Sequence, residues 1–466
     1  MTRTTLFVDD PYTGEIIFET VLAERPDVDR GLARAVEAQR AWARVPVDRR
    51  VAAVREFADQ FAAQSDINAS ELTAAVGKPL AQSHAEIRTM LDRTHQLAEL
   101  APSALDPEVL PDKGGFSRFI TREPAGVVVV LAAWNYPLLT AIGPVVASVL
   151  AGNAVIIKHS NRTVRMAEQM AEAFSRSAVP DSLVTAMAMN HETVAHLVQH
   201  EAVGYVSFTG SVPGGRAVYR AVAERKFIDV GLELGGKDPA YVKADCNFQF
   251  TVDNVVDGAL YNAGQSCCAV ERVYVEAPLY ERFLEAAVAV VKKVRLGDPR
   301  GKDTDQGPMA QAGTPDFLLA QVQDAERLGG RVVIGGRPEE HQGRGRFFLP
   351  TIVAETDHRM ALEREETFGP VIAVASVASD DEAIARMNDS RYGLTASVWS
   401  TDVDRARSIL SRLEAGTVFL NRADYLDPLL AWTGRKDSGK GVSLSRLGFL
   451  SVTRPKSFHL RLTIPA

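Results

Sequence analysis

The chain has 466 residues, of which 46% are hydrophobic and 24% are charged, the balance of an ordinary globular protein. This length predicts two or three domains with a substantial core. The formal net charge is −7 and the sequence has no block of Lys or Arg, so nucleic acid and anionic membranes are excluded as general partners. Three cysteines exclude a disulfide framework, and the first residues lack the apolar core of a secretory signal. Both observations predict a reducing, cytoplasmic location.

In chain order, residues 27–100 are predicted to be helical, because Val28, Leu32 and Ala35 recur at helical spacing among charged side chains. Residues 124–157 carry no charge and are long enough to cross a membrane. Turn-forming residues divide this stretch into a buried strand at 127–133, an apolar helix at 138–150 and a second strand at 154–157. The pattern is typical of a parallel sheet covered on both faces and favours that interpretation over a membrane span.

Strand and helix patterns then alternate from about 126 to 400. Buried strands are predicted at 205–208, 332–334, 371–374 and 396–399, and helices at 279–294 and 380–387. This alternation predicts an α/β fold of doubly wound, Rossmann-like sheets. The last strand-like segment, 457–462, has side chains that suit a sheet edge and is predicted to pair outside its own domain.

Two segments resemble ligand-binding motifs but lack the required chemistry. Residues 231–237 have the spacing of a phosphate-binding loop, yet Asp238 stands where a Ser or Thr would hold magnesium. His191, Glu192 and His196 resemble a zinc-binding helix, but the glutamate is misplaced for the zinc-protease pattern. A solvated helix face is the simpler interpretation, and no metal site is predicted.

The segment 262–268 (NAGQSCC) is a polar turn that ends in adjacent cysteines and precedes an apolar strand at 273–275. A thiol in such a turn can be accessible, and backbone N–H groups can lower its pKa, which makes it a nucleophile. An equally weighted alternative is a buried cysteine pair that packs as small hydrophobic residues.

Three further segments occur in order with this one. The segment 132–137 (AAWNYP) places an amide in a strand-to-helix turn, and 208–211 (FTGS) ends a strand at a glycine turn suited to a pyrophosphate. The segment 230–237 (VGLELGGK) places Glu233 in an apolar setting that favours a raised carboxyl pKa. With the spacing from Glu233 to Cys267 and the segment 365–370 (EETFGP), this set resembles the aldehyde dehydrogenase superfamily over nearly the whole chain. Thr367 departs from the aliphatic residue usual there.

The resemblance implies a cysteine mechanism for oxidising an aldehyde to a carboxylic acid. Cys267 matches the nucleophile that forms a thiohemiacetal and then a thioester. Asn135 matches the residue that stabilises the oxyanion, and Glu233 matches the base that activates water for hydrolysis. Cys268 and Cys246 have no role required by this mechanism.

The resemblance also implies NAD or NADP as cofactor. The implied cofactor-binding residues are Trp134, Lys158, Asn161, Gly210, Ser211, Leu234, Glu366 and Phe368. Asn161 replaces a glutamate that binds both ribose hydroxyls in many NAD-dependent members, and Arg162 follows it. A neutral side chain beside an arginine predicts that NADP is tolerated or preferred, with the arginine pairing to the 2′-phosphate.

For the substrate, the resemblance assigns Tyr136 and Trp432 to the entry channel, and Gly143 leaves that channel roomy. No basic residue lies between Asn135 and Lys158, so uncharged aliphatic or aromatic aldehydes are favoured. Arg422 is an alternative anion-binding residue, although a solvent-facing role fits it equally well.

Three alternatives stay open at this point. The first is a CoA-acylating relative, which would not need Glu233 as a base. The second is a cysteine esterase, which would need no cofactor. The third is a non-catalytic protein, which would need neither Glu233 nor a cofactor. The predicted domain division assigns 1–105 and 125–234 to cofactor binding, 235–440 to catalysis, and 106–124 with 441–466 to an oligomerisation arm. A homodimer or homotetramer is predicted, with a small-molecule aldehyde as the other partner.

Overall fold

The computed structural model describes residues 3–464 and has an α/β architecture built on two large, mainly parallel sheets. The helices are α1 (Arg25–Trp42), α2 (Val47–Ala62), α3 (Ser65–Val76), α4 (Leu80–Leu105), α5 (Pro137–Ala151), α6 (Val164–Ser175), α7 (His191–Gln199), α8 (Val212–Ala223), α9 (Phe248–Leu260), α10 (Tyr280–Val291), α11 (Thr314–Arg327), α12 (Ala361–Arg364), α13 (Asp380–Asn388), α14 (Val403–Leu410) and α15 (Ser445–Ser451).

The strands are β1 (Thr5–Asp9), β2 (Ile16–Val21), β3 (Glu108–Val109), β4 (Phe116–Pro124), β5 (Val127–Ala132), β6 (Ala154–His159), β7 (Val184–Ala186), β8 (Val203–Thr209), β9 (Val230–Glu233), β10 (Asp238–Val242), β11 (Val270–Glu276), β12 (Arg331–Ile334), β13 (Pro338–His341), β14 (Arg344–Phe348), β15 (Thr351–Ala354), β16 (Val371–Val377), β17 (Tyr392–Gly393), β18 (Thr395–Trp399), β19 (Thr417–Leu420), β20 (Arg435–Lys436), β21 (Gly439–Lys440) and β22 (Thr453–Arg461).

The first large sheet has the strand order β21-β9-β8-β5-β6-β7. Its strands are parallel except for β21, which runs antiparallel to β9 at the edge. All six side chains of β5 are buried, because helices cover both faces of the sheet. The predicted strand, helix and strand in 127–157 are confirmed as β5, α5 and β6, and no helix in residues 3–464 is long and apolar enough to cross a membrane.

The second large sheet has the order β12-β15-β16-β11-β10-β18-β19 and is parallel except at β12. Its strands β10 and β18 are fully buried, and their polar residues Asp238 and Thr395 satisfy each other, since the Thr395 N–H and hydroxyl both donate to Oδ2 of Asp238. The two sheets confirm the doubly wound α/β prediction. The predicted helical region at 27–100 is also confirmed, and it divides into the four helices α1 to α4.

A third, small sheet has the order β22-β4-β3. The predicted edge strand at 457–462 lies largely within β22, which pairs antiparallel with all of β4. Most of β22 is exposed, and it forms one edge of this sheet.

Candidate active site

The site is built around two cavities that meet near Cys267. The first cavity, of about 540 Å³, is lined by residues of α4, α5, α9 and the segment 421–444. The second cavity, of about 810 Å³, lies at the carboxyl ends of β5, β6 and β8. This is where parallel α/β sheets bind ligands, because the strand ends leave a crevice there. The residues that line both cavities are Asn135, Thr209, Glu233, Leu234 and Cys267.

Cys267 is half-buried and follows a turn with unusual backbone geometry. Asn262, Ala263 and Gly264 all have positive φ angles, of 53°, 56° and 68°. Three successive left-handed residues are costly, and hydrogen bonds hold them in place. The Gln265 side chain accepts from the backbone N–H of Ala310 at 2.9 Å and donates to the carbonyl of Asn262 at 3.1 Å. The thiol therefore projects from a rigid turn.

Asn135 contacts this same turn from the end of β5. Its Nδ2 donates to the carbonyl of Gln265 at 3.2 Å, and its own carbonyl accepts from Nδ2 of Asn262 at 3.2 Å. Asn135 is buried. The structure thus brings a fixed amide donor and the cysteine turn together, although they are far apart in the sequence.

Glu233 ends β9 and reaches the shared wall from the first large sheet. Its Oε1 accepts from the Ser443 hydroxyl at 3.3 Å, whereas its buried Oε2 has no partner in the described part of the chain. Burial raises the pKa of Glu233 to about 8, more than the hydrogen bonds from Ser443 and Trp432 lower it. The group is therefore largely protonated at neutral pH and can exchange a proton near pH 8.

Cys268 is buried, as the alternative interpretation of the cysteine pair expects, but it is not merely apolar filling. Its Sγ donates to Oδ1 of Asp424 at 2.9 Å, and the Ser266 hydroxyl donates to the same oxygen at 3.1 Å. A hydrogen bond with Cys267, together with burial and nearby Asp424, raises the pKa of Cys268 well above the ordinary value. Cys268 is accordingly a neutral thiol, and Cys267 is the cysteine that lines both cavities.

All of the predicted cofactor residues line the second cavity. They are Trp134, Lys158, Asn161, Gly210, Ser211, Leu234, Glu366 and Phe368. The Ser211 hydroxyl caps α8 by accepting from the N–H of Gly214 at 3.3 Å, so a helix N-terminus faces this cavity. A Cβ atom at position 210 would lie 2.8 Å from the ring of Phe208. Glycine at this position therefore keeps the approach to the helix open. These features fit a dinucleotide with an anionic pyrophosphate.

Glu366 and Phe368 are held by a buried ionic network that sequence reasoning missed. Lys237 Nζ donates to Oε2 of Glu271 at 2.6 Å and to the Thr367 hydroxyl at 2.7 Å. Glu271 accepts in turn from the N–H groups of Thr367 and Phe368, at 2.9 Å and 2.8 Å. These bonds hold Phe368 at a positive φ of 54°. Thr367 therefore replaces an aliphatic residue because its hydroxyl satisfies a buried ammonium group.

Glu366 itself accepts from the N–H of Gly236 at 3.0 Å. A side chain at Gly235 would come within 2.5 Å of the Glu366 carboxyl, so only glycine leaves room for it. Burial, with nearby Glu271 second, raises the pKa of Glu366 to about 7. Trp134 and Phe368 pack edge to face nearby, with ring centres 5.5 Å apart.

The prediction that Arg162 pairs with a cofactor phosphate is wrong. Its guanidinium forms an ion pair with Asp9 and donates to the carbonyls of Asp9 and Ala75 at 2.9 Å and 2.8 Å. Arg346 also donates to the Asp9 carboxyl, at 2.9 Å. Arg162 thus ties the amino-terminal hairpin to the body of the protein, and only Asn161 of this pair faces the cavity.

Two of the zinc-like residues of α7 form ion pairs, and the third, His191, lines the second cavity. His196 Nε2 lies 2.7 Å from Oδ1 of Asp29, and Glu192 accepts from Arg25 at 2.7 Å. Across residues 3–464, the structure has no group of three or more His, Cys, Asp or Glu side chains arranged to hold a metal ion.

Tyr136 and Trp432 both line the first cavity, where the resemblance placed them. The ammonium group of Lys78 lies 3.8 Å from the centre of the Tyr136 ring. Gly143 also lines this cavity, and a side chain there would come within 3.3 Å of Leu444. Glycine at position 143 therefore leaves space beside Leu444.

Arg93 is the residue of the first cavity that the sequence analysis missed. It lies on the buried face of α4 with Glu86, Met90 and Leu97, which follow helical spacing. A charged residue on such a face is the signal that could have identified it. Arg422 also lines the cavity, but it is exposed and stacks at 3.4 Å over Tyr425.

Comparisons with known proteins agree on one family. A family model described as the aldehyde dehydrogenase family matches residues 2–458. A succinate-semialdehyde dehydrogenase [NADP(+)] from Deinococcus radiodurans is 34% identical over 447 residues, covering 96% of this chain and 93% of that protein. A succinate semialdehyde dehydrogenase [NAD(P)+] from Escherichia coli is 31% identical over 443 residues, covering 94% of each.

Solved structures show the same relationship. An NAD-dependent aldehyde dehydrogenase from Sinorhizobium meliloti matches with a TM-score of 0.96 and 30% identity, covering 99% of this chain and 92% of that one. A betaine aldehyde dehydrogenase from Staphylococcus aureus, solved in complex with NAD+, matches with a TM-score of 0.93 and 28% identity, covering 99% and 93%.

Proposed function

Because the chain belongs to the aldehyde dehydrogenase family and is an oxidoreductase that acts on aldehydes, we propose that it oxidises an aldehyde to a carboxylic acid through a thioester on Cys267. One observation carries this proposal. Cys267, Asn135 and Glu233 line the wall common to both cavities, so a carbonyl carbon in the first cavity can face a cofactor in the second.

The first step is addition of the Cys267 thiolate to the aldehyde carbon, which converts the carbonyl oxygen into an oxyanion. The Asn135 side-chain amide is held at the cysteine turn by donating to the Gln265 carbonyl, and the Asn135 backbone carbonyl accepts from Asn262. The amide is therefore positioned to donate to this oxygen. The thiohemiacetal carbon then loses a hydride and becomes the carbonyl of a thioester.

NAD+ or NADP+ bound in the second cavity supplies the hydride acceptor. Gly210 and Ser211 would hold the pyrophosphate at the start of α8, and Lys158 and Asn161 would face the adenosine ribose. Glu366 would accept from the nicotinamide ribose hydroxyls. Trp134, Leu234 and Phe368 would enclose the nicotinamide end and keep it beside Cys267.

Glu233 completes the reaction as a base in its ionised form. It takes a proton from water, the resulting hydroxide attacks the thioester carbon, and the Cys267 thiolate leaves with the acid released. The raised pKa of Glu233, about 8, makes the carboxylate a stronger base than an exposed glutamate. A base in this position supports hydrolysis over acyl transfer to CoA.

We also propose that both NAD and NADP are used. Asn161 is neutral and lines the second cavity, so it would not repel a 2′-phosphate. The two curated relatives are described with NADP(+) and with NAD(P)+. Comparing kcat/KM for the two cofactors tests this; a ratio above about 100 in favour of NAD would contradict it.

The domain division and assembly are proposals as well. Residues 1–105 and 125–234 would form the cofactor-binding domain, 235–440 the catalytic domain, and 106–124 with 441–466 the arm. The exposed strand β22 has one unpaired edge within the described chain, which supports pairing with a second copy in a dimer or tetramer. Light scattering during size exclusion tests this, and a monomer at micromolar concentration would contradict it.

The function is tested by following reduced nicotinamide in the presence and absence of CoA. Succinate semialdehyde, the substrate named for both curated relatives, is the first aldehyde to test, beside uncharged aliphatic and aromatic aldehydes. We expect turnover without CoA and release of the free acid. A strict CoA requirement, or ester cleavage without any cofactor-dependent oxidation, would overturn the proposal.

A further inference from the structure

We propose that Arg93 binds a carboxylate in the first cavity, which makes short aldehydes bearing a second, anionic end the preferred substrate class. The inference rests on the proposed function, since it concerns the far end of the aldehyde attacked by Cys267. Both residues line the same cavity of about 540 Å³.

The first observation is that the hydrogen-bonding capacity of Arg93 is largely unused. The side chain is buried, with 4% of the residue exposed. Its Nη1 donates to the carbonyl of Leu139 at 2.9 Å, but its buried Nε has no partner in residues 3–464. A guanidinium has five N–H donors, and burying them unpaired is unfavourable unless a ligand accepts from them.

The second observation is that the protein does not neutralise this charge. Glu86 is the nearby carboxylate on the same helix, but it forms a tight ion pair with Lys78 and accepts from the N–H of Leu138 at 2.9 Å. Burial lowers the pKa of Arg93 to about 10, so the group remains positively charged at neutral pH. It is therefore a buried cation without a carboxylate of its own.

The other acidic groups of the cavity oppose an anion only weakly. Burial raises the pKa of Asp424, which already accepts from Ser266 and Cys268. Glu233 has its pKa raised to about 8 and is mostly neutral at pH 7. Burial, with nearby Asp424 second, raises the pKa of Asp257 above its ordinary value.

The size and remaining walls of the cavity limit the carbon chain. Leu139, Leu426 and Trp432 offer apolar surface for methylene groups, and Gly143 keeps the passage open. Cys267 and Arg93 line the same cavity, so an aldehyde held by Cys267 can carry a second polar end toward the guanidinium. Short oxo acids fit this description, and long alkyl aldehydes would leave the Arg93 donors unpaired.

The test compares kcat/KM for 4-oxobutanoate with that for its methyl ester, which differ only in the charge of the far end. We expect the wild-type enzyme to prefer the acid by about 10- to 100-fold, the range for a hydrogen bond to a charged group. In Arg93→Met this preference should disappear, with turnover of the ester changed by less than about 3-fold. Arg93→Lys should restore part of the preference because it restores the charge.

Arg422→Gln is the matched control, because Arg422 lines the same cavity but is exposed and stacked on Tyr425. It should leave the ratio of acid to ester within about 3-fold, since exposed charges are screened. If Arg93→Met does not fold, inhibition of the wild-type enzyme tests whether the first cavity binds a carboxylate. Succinate should inhibit at least about 10-fold more tightly than its dimethyl ester.

The outcomes separate this inference from the proposed function. Equal kcat/KM for acid and ester in the wild-type enzyme, or an equal loss on both in Arg93→Met, would overturn the role of Arg93. If no aldehyde of either kind reduces the cofactor, the proposed function fails instead.

Discussion

The two cavities share one wall but are assembled from different kinds of structure. The turns that directly follow β5, β6 and β8 supply part of the lining of the second cavity, and α7, α8, Glu366 and Phe368 complete it. The first cavity is formed by side chains of α4, α5 and α9 and the segment 421–444, which meet only after packing. The second cavity therefore rests in part on strand-end turns, whereas the first depends on how separate elements pack together.

Because of this difference, cofactor binding in the second cavity can be tested separately from the chemistry at the boundary of the first. Most of the lining of the second cavity is not shared with the first, so its binding should tolerate most side-chain changes in the first. Charged and polar side chains with few partners, such as Arg93 and Glu233, define the first cavity and its boundary. Substitution of Cys267 or Glu233 on the shared wall should remove chemistry while leaving cofactor affinity nearly unchanged.

The largest expected effect is that of Cys267→Ala, which removes the nucleophile from the shared wall. Turnover should fall by on the order of 10⁴-fold or more, while the Kd for NAD+ or NADP+ measured by calorimetry stays within about 3-fold. Cys268→Ala is the control, and it should keep turnover within about 10-fold because that buried thiol donates to Asp424 and is not the proposed nucleophile. Full activity in Cys267→Ala would refute the cysteine mechanism.

Glu233→Gln should reduce steady-state turnover by about 10²- to 10⁴-fold, the range for loss of a general base. The pKa of Glu233 is raised to about 8, so the ionised base is scarce at low pH. Hydrolysis in the wild-type enzyme should therefore rise about tenfold per pH unit below 8 and level off above it. In the variant this rise should be lost, while one equivalent of reduced cofactor still forms rapidly and the thioester accumulates, as mass spectrometry would detect.

Asn135→Ala should lower kcat by about 10²- to 10³-fold, the usual loss for one oxyanion donor. The side-chain amide also donates to the carbonyl of Gln265 in the cysteine turn, so the variant must be checked for altered alkylation of Cys267. Asn135→Asp is a useful comparison, because it keeps the size but replaces the donor with a negative charge. A variant Asn135→Ala with wild-type kcat would contradict the proposed geometry.

The smallest expected effect concerns the network behind the second cavity. Thr367→Val removes an acceptor from the buried Lys237 ammonium, which should cost about 1–3 kcal/mol of stability. We expect a lower Tm and a cofactor Kd raised by about 3- to 10-fold, because Glu366 and Phe368 lose support. Thr367→Ser should restore both values, and kcat at saturating cofactor should change little. Unchanged Tm and Kd would show that the hydroxyl is dispensable.

The sequence was most informative where function depends on backbone at strand ends. The segments around Asn135, Gly210 and Glu233 were assigned through the family resemblance, and the structure places each at or just after the end of a strand of the first sheet, β5, β8 or β9. Arg93 could not be assigned in this way, because its position depends on how α4 packs against α5. Its burial on an apolar helix face was visible in the spacing, but the cavity it lines was not.

Arg162 shows the opposite failure. It follows a cofactor-facing residue in the sequence, yet its side chain turns back to Asp9 in the amino-terminal hairpin. Adjacent side chains on irregular backbone point in different directions, so the position of Arg162 next to Asn161 did not predict which group it contacts. The Lys237, Glu271 and Thr367 network was likewise hidden, because its three members come from three separate segments.

The edge of the first sheet has a consequence for synthesis on the ribosome. Strand β9, which ends in Glu233, receives its outer partner only from β21 at Gly439–Lys440, and Ser443 then donates to its carboxyl group. A nascent chain that stops before residue 438 would expose an unpaired strand edge, which favours aggregation. The environment of the Glu233 carboxyl group is therefore completed only after nearly all of the chain has been translated.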